Sequence, residues 1–196
     1  MFAALGIVSA ILSARASGQG QVIDVAMVDG VANLMALIHE MLGKGMWRDE
    51  RAANLLDGAA PFYRCYACAD GGHVAVGAIE PQFFAQLLAG LEIDPAGVAQ
   101  HDRARWPELT AEFARVFATR TRDEWEARFA GTDACVAPVL SMTEAMAHPV
   151  NVERQVFVER DGIGQAAPAP RFSVTPGAIS ESKTVSIEDA IAAWGD

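Results

Sequence analysis

The stretch FYRCYACADGGHVAVGAIEPQFF, residues 62–84, decides the fold. Residues 62–68 read as a strand, and His73-Val74-Ala75-Val76 alternates into a second one. Between them, Ala69-Asp70-Gly71-Gly72 is a hairpin signal, because glycine supplies the backbone angles a tight reversal needs. Pro81 then suits a first helical position, where no amide donor is required, and a helix is expected to about residue 91. Glu80 sits on the junction. A carboxylate there has a fixed backbone and can point outward, as a positioned acid or base must. The same place commonly holds a helix cap or a dipole partner, and spacing alone favours that plainer role.

Working outward, residues 46–61 lack periodicity, contain Asp57-Gly58 and read as a functional loop. Before them, Met27, Val31, Leu34, Met35, Ile38, Met41 and Leu42 recur at threes and fours, which predicts one long helix closed by Gly43-Lys44-Gly45. Residues 21–26 read as a short strand. Downstream, helices are expected near 107–119 and 121–130, the second opened by a capping box in Thr121 and Glu124. A strand near 134–139 and a helix near 141–147, stopped by His148-Pro149, follow. A strand at 155–158, an extended link over 166–170 and a capped helix at 186–194 complete the pattern. The fold class is α+β.

A chain of 196 residues, 52% hydrophobic, can bury a full core. Its formal charge is −10, with Lys+Arg 15 against Asp+Glu 25, which argues against a nucleic-acid partner. Three cysteines, Cys65, Cys68 and Cys135, form no even disulfide set and favour a reducing, cytoplasmic setting. Cys65 and Cys68 have CxxC spacing, but a strand would turn them to opposite sides, and no second ligand pair completes a metal site. No metal is expected. The apolar run over residues 1–15 has no preceding positive charge and is too short and too rich in Ala and Ser for a membrane span. A helix meant to be covered on nearly all sides fits better, which is unusual for a terminus.

None of His39, His73, His101 or His148 has a nucleophile partner at readable spacing. Gly18-Gln19-Gly20 is too weak for a phosphate loop. Phe62, Tyr63 and Tyr66 could line a pocket or simply pack a core. Glu80 is the one sharp candidate.

Several segments together resemble the C-terminal half of the α-methylacyl-CoA racemases, within the family III CoA-transferase (CaiB/BaiF) superfamily. They are GQGQVIDVAMVDG at 18–30, NLLDGAAPFY at 54–63, ADGGHVAVGAIEPQF at 69–83, DRARWP at 102–107, DACVAPV at 133–139 and APRFS at 169–173. The chain departs from the racemase signature at Ala59 and Ala52, where glycine is usual. The resemblance implies a small mixed α/β domain with a long linker helix, plus remnants of a truncated Rossmann-like large domain. On that reading residues 1–26 belong to the large domain, 27–63 to a linker helix and active-site loop, and 64–140 to the small domain. Residues 141–168 form a return linker, and 169–196 return to the large domain.

The resemblance further implies racemisation of 2-methylacyl-CoA thioesters by 1,1-proton transfer, with no cofactor beyond the CoA of the substrate. The family's catalytic His and Asp would lie upstream of Met1, leaving this chain inactive alone. Glu80 would match the carboxylate that holds the catalytic His. Leu56, Asp57, Tyr63 and Ile79 would line the acyl pocket. The expected partners are an acyl-CoA and a second subunit in an interlocked dimer, or an N-terminal half. A non-catalytic interaction module and a CoA-transferase fragment are the alternatives.

Overall fold

The computed structural model describes residues 1–179 and 184–193. The chain divides into two compact units, Met1–Pro138 and Val139–Asp196.

The core of the first unit begins with the quoted stretch. Strands β1 (Tyr63–Ala67) and β2 (His73–Gly77) pair antiparallel, with Tyr63 opposite Gly77 and Ala67 opposite His73. Gly71 takes a positive φ of 80° in the turn. The Asp70 carboxylate accepts from the Gly72 and Arg122 amides, tying the hairpin to a later helix. A third strand, β3 (Val136–Val139), joins the β2 edge, preceded by a bond from the Gly77 N–H to the Cys135 carbonyl at 2.9 Å. The sheet has two unlike faces. Tyr66, Val74 and Val76 are buried on one, and Tyr63, Cys65 and His73 are exposed on the other.

Helices cover the buried face. Numbered along the chain, they are α4 (Pro81–Leu91), α5 (Trp106–Phe117) and α6 (Arg122–Phe129). α4 buries Phe84, Leu87, Leu88 and Leu91, and α5 buries Trp106, Leu109, Phe113 and Phe117; both sets mark one stripe of a 3.6-residue helix. Aromatic rings knit the core: Tyr66 stacks on Phe117 at 5.0 Å, and Phe117 meets Trp125 edge-on at 5.1 Å. Gly90 lets α4 and α6 approach, since a Cβ there would lie 2.1 Å from the Phe129 ring. The expected capping box at Thr121 and Glu124 is formed.

The N-terminal part differs from expectation in two places. Helix α1 (Phe2–Ser17) is followed by residues 21–26, read as a strand, which form no ladder. A strand needs a neighbour to take its backbone groups, and no described segment pairs with this one. The single helix expected from Met27 is broken at Met35 into α2 (Met27–Leu34) and α3 (Ala36–Gly43). The break is mild: Met35 N–H still reaches Val31 O, and His39 N–H reaches Met35 O. Residues 46–61 form turns without regular elements, as expected.

The second unit opens with α7 (Met142–Ala147), capped by Ser141 and Glu144. A short α8 (Pro149–Glu153) continues past His148, where the sequence reading stopped, and Asn151 ties back to the Ala145 carbonyl at 2.8 Å. Strand β4 (Phe157–Arg160) lies slightly later than expected and pairs with an unforeseen β5 (Ile163–Ala166). Arg171 donates to the Arg154 and Gln155 carbonyls. Helix α9 (Ile187–Ala193) has Ser186 accepting from the Asp189 N–H; Trp194, expected in the same helix, lies outside the described residues.

Candidate functional site

Two of the candidate residues, Asp57 and Tyr63, meet at the exposed face of the β1–β2–β3 sheet. Small side chains, Ala75, Gly77 and Ala137, floor a groove of about 560 Å³, with Asp57, Tyr63 and Cys135 among its walls. The hairpin register places Tyr63 opposite Gly77, so the phenol stands beside bare backbone. Leu56 and Ile79 are half-buried and do not line this groove.

Glu80 lies three residues beyond Gly77, the last residue of β2 on the groove floor. It precedes α4 with an extended backbone, φ −74° and ψ 141°, and its side chain makes no capping hydrogen bond. Part of the helix start is met without it: Pro81 has no N–H, and the Glu80 carbonyl accepts from Phe83 and Phe84 at 3.0 and 2.9 Å. The Glu80 side chain therefore makes no capping bond, although its place at the N-cap of α4 still suits a dipole partner. The carboxylate is exposed; burial, then the charges of Glu80 and Asp133, push the Cys135 thiol's pKa up.

The junction is held by a residue the sequence reading did not single out. Gln100 is buried, and its Nε2 donates to the Ala78 and Ile79 carbonyls at 3.1 and 2.8 Å. The Gln100 carbonyl in turn accepts from the Trp106 indole at 2.9 Å. A side-chain clamp thus fixes the two peptides immediately before Glu80. No local signal marks it, because the partners are 21 and 22 residues apart.

The 46–61 loop is organised by Asn54, which is fully buried, and Asp57. Asn54 Oδ1 accepts from the Arg48 N–H at 2.7 Å and its Nδ2 donates to Asp57 Oδ2 at 2.7 Å. Asp57 also accepts from the Ala53, Asn54 and Ala59 amides. Burial would raise its pKa, but these donors outweigh that and hold the carboxyl below its ordinary range. Asp57 thus borders the groove with its carboxylate oxygens engaged within the loop. Ala52, where the racemase signature has glycine, takes a left-handed φ of 52°.

Cys65 is exposed and Cys68 buried, so the CxxC pair presents its thiols to different surroundings. Among the described residues no group of three His, Cys, Asp or Glu could hold a metal. His101 packs edge-on against Phe62 at 6.0 Å, and His39 is exposed on α3. The groove offers the Tyr63 phenol and the Cys65 and Cys135 thiols, and the outward Glu80 carboxylate follows three residues after the end of β2.

The sequence profile of CoA-transferase family III matches residues 1–183. The chain belongs to that family. This CoA-transferase family III chain is 45% identical over 185 residues to the α-methylacyl-CoA racemase of Mus musculus and 42% over 182 residues to that of Homo sapiens. Those matches cover 93% and 90% of it but 49% and 47% of the relatives, so the chain spans about half their length. A succinyl-CoA–D-citramalate CoA-transferase of Chloroflexus aurantiacus is 30% identical over 190 residues. In fold, it matches a CaiB/BaiF family protein from Brucella suis with a TM-score of 0.73 at 22% identity, over 98% of this chain and 52% of that one. The mixed helix-and-sheet architecture is thus the family's. No described helix is long and apolar enough to cross a membrane.

Proposed function

We propose that this chain supplies one side of a site that interconverts the R and S forms of 2-methylacyl-CoA thioesters. The observation that carries the reading is the 45% identity with the mouse racemase over 93% of the chain. The reaction takes the α-proton from one face of the substrate, leaves an enolate whose charge rests on the thioester oxygen, and returns a proton to the other face. Two acid/base groups on opposite faces are needed. In this reading a His/Asp pair comes from the family's N-terminal half, and Glu80 accepts a hydrogen bond from that His and fixes its tautomer. Gln100 keeps the Glu80 backbone in place. Tyr63, Asp57, Leu56 and Ile79 border the acyl chain. CoA arrives with the substrate, no further cofactor takes part, and the protein works in the cytoplasm.

The test is exchange of the α-proton of a 2-methylacyl-CoA in deuterated water. The 196-residue chain by itself should give none. A longer form, with the family's N-terminal half fused ahead of Met1, should give exchange at both enantiomers. Exchange by the short chain would overturn the claim that the acid/base pair comes from elsewhere.

A second reading, an association module, is favoured by α1, which buries no residue and leaves Leu5, Ile7, Val8, Ile11 and Leu12 exposed. Light scattering decides it. A concentration-independent monomer would count against any pairing through this helix.

A further inference from the structure

Next to the groove, and sharing Gly58 and Arg64 with it, lies a second cleft of about 770 Å³. Its charge is unlike that of the rest of the molecule. The chain carries −10, yet Arg48, Arg64 and Arg103 all line this cleft and no carboxylate does. Among the described residues none of the three forms an ion pair. Two carboxylates of the flanking segments are engaged elsewhere: Glu108 pairs with Arg105, and Asp57 accepts from its own loop.

Two of the guanidinium groups are held by rings. Arg64 lies over Tyr66 at 5.5 Å and Arg103 over Trp106 at 5.4 Å, which restrains them before any ligand arrives. The Arg64 Nε is buried and meets no acceptor. A buried donor of that kind normally has a partner. Planar guanidinium forks suit the paired oxygens of a phosphate better than a single point charge does.

We propose that this cleft binds a di- or polyphosphate group, gripped by Arg48, Arg64 and Arg103. The cleft is the size of ordinary small-ligand sites. The phosphates could be those of the nucleotide end of a CoA ester or of free pyrophosphate. The inference does not depend on the proton-transfer reading, since it concerns binding without turnover.

The experiment is calorimetric titration of the 196-residue chain with pyrophosphate and, separately, with CoA. Saturable binding of at least one, weakening as salt rises, is expected. The Arg48→Gln/Arg103→Gln double variant alters exposed side chains and should keep its circular dichroism while binding at least tenfold more weakly. Arg64→Lys, which keeps the charge but loses the fork, should weaken binding by a smaller factor. Arg115→Gln, exposed on α5 and outside the cleft, should change nothing. Tighter binding of CoA assigns the site to the nucleotide ester, and equal binding assigns it to the phosphates alone; either supports the site. No saturable heat with either probe would overturn it, as would an equal loss in Arg115→Gln.

Discussion

Residues 54–134 and residues 1–43 lie in one compact unit, yet they treat their apolar side chains in opposite ways. The first region encloses Phe62, Phe113 and Phe117 completely and stacks ring on ring around them. The second is three helices, α1 to α3, that bury no residue at all; Leu5 is 67% exposed and Leu12 62%. The sheet and its helices satisfy themselves. The N-terminal helices carry the composition of an interior and the exposure of a surface, which is why a covering half or partner enters the proposed function.

Substitutions can break or sharpen that contrast. The largest effect is expected at the core: Phe113→Ala should lower the unfolding free energy by about 3–5 kcal/mol, read by urea denaturation. Gln100→Ala comes next, at about 1–3 kcal/mol, because two carbonyls lose their donor. It should also speed amide exchange in the first turn of α4, which a merely distant destabilisation would not do selectively.

Asp57→Asn should cost about 1.5–3 kcal/mol at neutral pH, the range for hydrogen bonds to a charged group. Its pH signature has a definite sign. The folded pKa of Asp57 lies below the ordinary 3.8, because its donors outweigh burial. The unfolded chain therefore takes up the proton first, and the stabilisation is whole above 3.8 and lost as pH falls through the lower folded value. The variant should lose this part of the acid sensitivity. Ala52→Gly should raise stability by about 0.5–1 kcal/mol, since glycine removes the left-handed strain at that residue. Smallest of all, Leu5→Ser with Leu12→Ser should shift the unfolding of the isolated chain by less than about 0.5 kcal/mol. A loss there as large as that of Phe113→Ala would erase the contrast.

The parts legible in the sequence were those with local chemistry. Gly71-Gly72 marked the hairpin, Pro81 the start of α4, and Thr121 with Glu124 the start of α6. Asp161-Gly162 is a hairpin signal of the same kind, and it closes β4 on β5 with positive φ at both residues, 52° and 75°. Its flanking strands are only four residues each, too short to show an alternation of their own. Residues 21–26 had the composition of a strand, but pairing depends on a neighbour that composition does not supply. Met35 carries no breaker, so the kink between α2 and α3 had no local sign. At the site, the position of Glu80 was legible and its rigidity was not. The backbone before it is fixed by Gln100, far along the chain; the Asn54–Asp57 network, which orders the 46–61 loop, likewise exists only once that loop is folded.

The central claim is that Glu80 acts by orienting an acid/base group rather than by capping α4. The pH dependence of α-proton exchange, measured in the form carrying the family's N-terminal half, tests it most directly. Glu80→Gln should lower the exchange rate by about 10²-fold or more, the scale of positioned acid–base catalysis, and shift the pH profile while the unfolding transition stays in place. An unchanged profile, or a rate loss that follows only from lost stability, would contradict the claim.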